Sequence, residues 1–312
     1  MKFLLKKFFS FIATIFIVSL TIFFIFNVLP GNPAHAILGI DADNQQIKLF
    51  EEDLGLDKPL HLRYIDWITG VAQGDLGESY KYRQPVEDVM QDRIPVSFSL
   101  AIIALLLTVV IGVPLGILIA RTDGKWYSTV LSMITQLGIS TPSFWLGFIL
   151  ILIFAVKLGL FPTYGFVPWS ESFFGALRSY FLPALAIAIS NIAIVIRYLR
   201  NSILDQSKQD YVRTAKVKGL GTSEIMYGHV LKNAFLPVLT ILGLITADTL
   251  GGSIIIENVF ALPGLGNLLV ASIESRDFPL IQSLILIISL IIIVANFIVD
   301  LLYRVIDPRI RI

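Results

Sequence analysis

RNSILDQSKQDYVRTAKVKGLGTSEIMYGHVLKN, residues 200–233, is the stretch on which the fold turns. It is polar and basic, and it lies between two apolar runs, Phe181–Leu199 and Ala234–Ile256. Each run approaches the roughly 20 residues with which an α-helix crosses a hydrocarbon core. Two such helices can be joined by a short turn, so a linker of this length predicts a structure on which something docks. Ser207 followed by Asp210 reads as a capping-box-like start, and Asp210 to Lys218 as a short helix ending at Gly219. Gly219-Leu220-Gly221 supplies residues that tolerate positive φ, and Thr222 is a second N-cap with Glu224 in the first turn of the next helix. That helix, from Ser223, runs into the following apolar segment. The product is a helix–turn–helix elbow. A plain juxtamembrane loop attracted to anionic lipid needs only the Lys and Arg and leaves the paired glycines and the caps unexplained.

The composition places this elbow on a membrane protein. Of 312 residues 55% are hydrophobic and 15% charged, with a mean hydropathy of +0.79, whereas a soluble domain carries about a quarter charged residues. The chain has no cysteine, which excludes thiol nucleophiles, Fe–S clusters and Cys-only zinc sites but leaves the redox compartment open. A net charge of +1 is unlike a nucleic-acid binder. Six apolar runs are long enough to span: Phe8–Leu29, Ser97–Ala120, Val130–Val156, Phe181–Leu199, Ala234–Ile256 and Leu280–Leu302. Ala34-His35-Ala36 after the first run has the look of a signal-cleavage site, but that run is longer than the about 7 to 15 apolar residues of a signal peptide, and it is read as a retained helix. Pro142, in Ser140-Thr141-Pro142-Ser143, is expected to kink the third span.

These runs divide the chain into an N-terminal transmembrane helix (1–29), an external region (30–96) and a five-helix core (97–312) that carries the elbow. Lys2, Lys6, Lys7, Arg121, Lys125, the basic residues from Arg197 to Lys232, and Arg304, Arg309 and Arg311 fall on one side, so both termini are expected in the cytoplasm. In the acid-rich external region, Val86, Val89, Met90 and Ile94 recur at helical spacing and predict a short amphipathic helix. Lys157–Tyr180 reads as a shorter external loop whose Pro162, Pro168 and Trp169 suit the interfacial belt.

Polar groups inside spans are costly and normally face a bundle interior or water. In the fifth span Thr246, Thr249, Ser253 and Glu257 form one helical stripe, read either as a translocation path or as hydrogen-bonding glue between helices. Asp248, the one acidic residue near the middle of a span, is expected to line a cavity or pair across a subunit interface. Asn296, Asp300 and Arg304 near the end of the sixth span read as an interfacial anchor.

Asp210-Tyr211-Val212-Arg213-Thr214-Ala215-Lys216-Val217-Lys218-Gly219-Leu220, continuing through His229, Asn233 and Pro237, resembles the EAA loop of ABC-importer permeases, specifically those of the dipeptide/oligopeptide/nickel family. Leu29-Pro30-Gly31-Asn32-Pro33, Leu54-Gly55-Leu56-Asp57-Lys58-Pro59, Gly74-Asp75-Leu76-Gly77, Ile256-Glu257-Asn258-Val259-Phe260, Pro263-Gly264-Leu265-Gly266, Arg276-Asp277-Phe278-Pro279 and Asp307-Pro308-Arg309 fit the same family in order, over nearly the whole chain. The loop departs from its name at Arg213-Thr214-Ala215, so of the key positions Ala215 and Gly219 carry over. The resemblance implies an all-α, six-helix, type I ABC importer permease (MetI-like) fold in a bacterial or archaeal cytoplasmic membrane. It implies a coupling helix lying in a groove of an ATPase subunit, with Ala215 allowing close approach, Gly219 the turn, and Arg213, Lys216 and Lys218 pairing with acidic groups. It further implies a second homologous permease, two ATPases that bind ATP and Mg, and an extracellular or periplasmic substrate-binding protein.

No Gly-x-x-x-x-Gly-Lys-Ser/Thr phosphate loop occurs in the chain, so ATP hydrolysis is expected on a separate polypeptide. His35, His61 and His229 are scattered and do not read as a metal site. An intramembrane protease would need paired acids or a buried Ser/His set, and a stand-alone secondary carrier has no use for a docking elbow. The segment Gly251–Asn258 looks somewhat closer to nickel-type members, which leaves nickel or a nickel chelate and di- or oligopeptides as equal substrate expectations.

Overall fold

The computed structural model describes residues 2–28, 43, 45, 58–163 and 165–306. His35, Asp307, Pro308 and Arg309 lie outside them, as do the motifs spanning 29–33 and 54–57 and the side chains of Asp300 and Arg304. The described elements are helical: α1 (Lys2–Val28), α2 (Leu60–Gln73), α3 (Val86–Gln91), α4 (Ile94–Arg121), α5 (Trp126–Ser140), α6 (Ser143–Lys157), α7 (Phe173–Ser207), α8 (Asp210–Val217), α9 (Thr222–Val259), α10 (Leu265–Glu274) and α11 (Phe278–Ile306). The last turns of α6 (Ile151–Lys157) and an early turn of α9 (Met226–Val230) are π-helical. The all-α expectation therefore holds. Five helical segments, in α1, α3–α4, α7, α9 and α11, are long and apolar enough to cross a membrane, and α5 with α6 makes a sixth when the two are taken together.

The third span differs most from expectation. In place of a kinked rod, α5 and α6 meet at 108°. Pro142 has no N–H to donate and disfavours helical geometry in the residue before it, and Thr141 is extended at φ −101°, ψ 126°. The carbonyls left open by the break are taken up locally. Thr141 Oγ1 donates to Leu137 O at 2.7 Å, Ser140 Oγ to Gln136 O at 3.0 Å, and Ser190 Oγ of α7 to Gly138 O at 3.1 Å.

Helix α7 is longer than its apolar run at both ends, so the last third of the expected external loop and the start of the expected cytoplasmic loop are helical. Trp169 is held within the chain: its ring stacks on Tyr180 at 5.4 Å and its Nε1 donates to Ser99 Oγ at 2.9 Å. Neither predicted side-chain cap forms. Ser207 lies inside α7 and donates to Ile203 O, while the N-cap of α8 is Gln209. Thr222 is the first residue of α9, and Gly221 caps it. Both caps failed because capping depends on which residue takes the extended conformation, and here Gln209 and Gly221 take it.

The chain divides into two compact units. The first, residues 1–96 and 263–294, has a core of Val86, Val89, Met90, Leu265, Leu268, Leu280 and Leu284. The amphipathic pattern expected around Val86 is thus the buried face of α3. The short α10 went unread in the sequence. The second unit, residues 97–262 and 295–312, is built on α7. Gly112 and Gly116 lie one turn apart on α4, and a Cβ at either would meet Val195 at 3.2 Å or Leu199 at 3.1 Å. Small residues at this spacing let membrane helices approach closely where lipid offers no hydrophobic driving force.

Candidate functional site

The elbow is built as two faces. On the inner face Val212 and Ala215 of α8 are buried with Ile225, Val230 and Ala234 of α9 and Leu199 and Ile203 of α7. Ala215 therefore makes its close approach to its own chain, and the expectation that it faces a partner is corrected. The helical repeat sets this: Val212 and Ala215 are three residues apart and share one side of α8. On the outer face Asp210, Arg213, Lys216, Lys218 and Glu224 are exposed, and among them Val217 is 88% exposed. Arg213 and Asp210 approach to 3.7 Å, but at 80% and 98% side-chain exposure the pair adds little stability and leaves both charges available. Tyr211 is half-buried, and its hydroxyl donates to Gln206 Oε1 at 2.9 Å, tying α8 back to α7.

Gly219 makes the reversal. Its φ is +82°, the Gly219 N–H bonds Lys216 O at 3.0 Å, and the Leu220 N–H bonds Ala215 O at 3.2 Å, the pattern of a Schellman stop. A Cβ at Gly219 would meet nothing within 4 Å, so the requirement for glycine is one of backbone conformation alone. Gly221, by contrast, has φ −69° and makes no use of its freedom.

Two contacts that sequence reading missed tie this region to the turn between α4 and α5. Arg121 Nη1 donates to the Tyr227 hydroxyl at 3.1 Å and its guanidinium lies 5.8 Å from the ring centroid, while Arg200 Nη2 pairs with Asp123 Oδ1 at 2.6 Å. Each joins residues far apart in sequence by ordinary polar side chains, and no local spacing announces it.

The polar stripe of the fifth span points mostly inward. Glu257 is fully buried and accepts from Ser97 Oγ at 2.6 Å, and Thr249 is buried and accepts from Asn191 Nδ2 at 3.1 Å. Ser253 is buried and donates to Leu250 O, while Thr246 is half-buried and donates to Leu242 O. The contacts of Glu257 and Thr249 are those of the helix-joining alternative, while those of Ser253 and Thr246 stay within α9. Asp248 lies on a different face of α9, exposed together with Leu244 and Ile255, and forms no hydrogen bond or ion pair with another described residue. Gly251 and Gly252 stand near it, and a Cβ at either would enter open space. Asn296 is exposed on α11. His61 and His229 are exposed and far apart in sequence, and among the described residues no group of three metal-binding side chains occurs.

The first unit holds a buried carboxylate that sequence reading noted only as part of a motif. Asp277 is fully buried and accepts from Ser79 Oγ at 2.5 Å, from the Lys81 N–H at 3.1 Å and from the Tyr80 N–H at 3.2 Å. It also caps α11, accepting from the Leu280 N–H at 3.4 Å. Burial, and then the Asp277 carboxylate, push the Tyr80 phenol up to about 12. The signal available in sequence was the cap: an Asp followed two residues later by Pro279 at the start of an apolar helix.

Known proteins share this architecture. Residues 112–312 match the family described as binding-protein-dependent transport system inner membrane component, and residues 1–101 match the N-terminal region of such components. The chain is 38% identical over 308 residues to a Brucella abortus (strain 2308) protein assigned as a peptide transport system permease, covering 99% of this chain and 98% of that one. It is 40% identical over 311 residues to the glutathione transport system permease protein GsiC of Escherichia coli (strain K12), covering 100% and 99%. In fold it is similar to a solved inward-facing form of the MetNI methionine ABC transporter, with a TM-score of 0.56 at 15% identity over 70% of this chain and 96% of that one.

Proposed function

Because the chain belongs to the family of binding-protein-dependent transport system inner membrane components, we infer that the importer it serves carries short peptides. It is a multi-pass permease subunit of an ATP-driven ABC importer, and hydrolysis is the work of a separate ATPase subunit. The names of the two relatives, one for peptides and one for the tripeptide glutathione, favour peptides over nickel or its chelates.

The working assembly pairs this chain with a homologous permease, two ATPases that bind ATP and Mg, and an external binding protein that selects the solute. It sits in a bacterial or archaeal cytoplasmic membrane with both termini inside. The observation that carries the coupling role is the division of the elbow around Gly219 into an apolar face packed on α7 and α9 and a charged face left exposed. An exposed, mixed-charge surface on a rigid support suits a protein partner. Arg213, Lys216 and Lys218 would meet its acidic groups, Asp210 and Glu224 its basic ones, and Val217 would enter an apolar recess. Closure of two ATPases on ATP would draw two such elbows together and tilt the helices fixed to them, a rigid-body transition of the kind packed interfaces allow. The tethers through Arg121 and Arg200 would carry the movement to the α4–α5 turn. Asp248 lines the path, whereas Thr249 and Glu257 hold the helices that form it.

The test is stimulation of ATP hydrolysis in the purified complex, with its binding protein, by dipeptides, tripeptides or nickel salts. Stimulation by peptides supports the reading, and stimulation by nickel alone overturns it. Reproducible purification with no ATPase attached would contradict the coupling role itself.

A further inference from the structure

Helix α2 falls in the stretch read from sequence as an external region, yet its contacts lie well inside the span of α1. The apolar span of α1 runs from Lys7 to Phe26. Ser19, 1% exposed, shares a 2.9 Å hydrogen bond with the Tyr64 hydroxyl of α2. The Tyr64 ring is edge-on to Phe16 at 6.3 Å and to Phe23 at 5.3 Å, and the Trp67 ring lies 5.8 Å from Phe23. Ser19 is seven residues from Phe26, which at a helical rise of about 1.5 Å per residue puts the Tyr64 hydroxyl roughly 10 Å inside the nearer end of the span. A tyrosine hydroxyl reaches roughly 8 to 9 Å from its helix axis, so even a Tyr64 pointing straight inward leaves the axis of α2 level with that end or just inside it. Interfacial amphipathic helices bury their apolar face about 5 to 10 Å into the headgroup and acyl boundary.

The remainder of α2 fits that position. Leu62 and Ile65, three residues apart on one side of α2, are 44% and 50% exposed, and Phe16, Ile17, Leu20 and Phe24 are exposed on α1. Its charges are managed as a lipid boundary requires. Lys58 and Asp66 neutralise each other at 2.9 Å, Thr69 returns its hydroxyl to Ile65 O at 2.7 Å, and Arg63 is partly buried within electrostatic range of the Tyr80 phenol. Tyr64 and Trp67 are the residue types that gather at membrane interfaces.

We propose that α2 is a lipid-embedded interfacial helix, packed on α1 through Tyr64 and Trp67 and presenting Leu62 and Ile65 to acyl chains. It thereby anchors the external N-terminal region to the bilayer surface. This placement of α2 requires α1 to span the membrane and is independent of the solute carried.

The absence of cysteine from the chain makes the test direct. Leu62→Cys and Ile65→Cys are labelled with bimane in the full complex, reconstituted in phosphatidylcholine–phosphatidylglycerol vesicles. Phe24→Cys reports the lipid face of α1, and Lys81→Cys reports water. The expected result is that spin-labelled phosphatidylcholine quenches positions 62 and 65 to the extent seen at position 24, while aqueous iodide quenches position 81 alone. Iodide quenching at 62 and 65 would make α2 part of a solvated loop. Protection from both quenchers would place a protein partner over it. Either result overturns the proposal, as does failure of the lipid probe to reach position 24.

Discussion

Ser97 Oγ donates a 2.6 Å hydrogen bond to the fully buried carboxyl group of Glu257, fastening the start of α4 to the end of α9. Removing a donor to a buried polar group costs about 1 to 3 kcal/mol, more for a charged one. Ser97→Ala is therefore expected to lower the midpoint of thermal unfolding in detergent while sparing the interaction with the ATPase. A midpoint equal to the parent's would show that Ser97 contributes nothing to holding Glu257.

The two glycines of the elbow should behave oppositely. Gly219 has φ +82° and Gly221 φ −69°, and an L-residue pays about 1 to 2 kcal/mol in the left-handed region, more when β-branched. Gly219→Val is expected to abolish solute-stimulated ATP hydrolysis with insertion and expression intact, and Gly221→Ala to leave it unchanged. Equal activity in both would separate the turn from coupling.

Val217 and Ala215 are two residues apart but are 88% and 5% exposed. Val217→Glu should weaken ATPase association about tenfold, about 1.4 kcal/mol, without altering the unfolding midpoint. Ala215→Leu overpacks the inner face and should lower the midpoint, at a cost of about 1 to 3 kcal/mol. Pull-down titration and thermal unfolding read the two effects separately. An association loss confined to Ala215→Leu would reverse the assignment of the faces.

Much of this structure was legible because it is local. Apolar runs gave the spans, the spacing of Val86, Val89 and Met90 gave the buried face of α3, and Gly219 announced a turn that its φ of +82° requires. What escaped depends on tertiary partners or on competition between neighbours. Asp277 and Ser79 are separated by 198 positions, and no periodicity links them. Pro142 signals a bend, but its size follows from Thr141 becoming extended and from Ser190 of α7 donating to the open carbonyl of Gly138. Ala215 was recognised as special, yet which way it faced was set by Ile225 and Leu199, on elements that the helix pattern of α8 does not mention.

Tyr80 makes a contribution that should vanish in alkali. Its phenol, raised from 10.0 to about 12 by burial and by Asp277, keeps its proton in the folded protein where the unfolded chain would lose it. A raised folded value means that the contribution is complete below pH 10 and is lost as pH rises from there to about 12. Tyr80→Phe should therefore lose less stability than the parent across that window, measured as the difference in unfolding midpoints between neutral and alkaline buffer. An equal loss in both would assign the alkaline effect elsewhere.

Asp248 is exposed on α9 while its neighbours Thr249, Ser253 and Glu257 are buried, so substitutions at the two kinds of position are expected to affect transport and assembly differently. A carboxylate within a membrane-spanning helix is costly against lipid and is tolerated where it meets water, a cation or a partner group. Asp248→Asn keeps the shape and removes the charge, so the complex should purify in normal yield with its ATPase while peptide uptake by proteoliposomes falls. Thr249→Val, which breaks the bond from Asn191, should do the reverse and lower thermal stability with little change in uptake per folded complex. Normal uptake by Asp248→Asn, or poor assembly of that variant, would move Asp248 from the solute path to the contact between subunits.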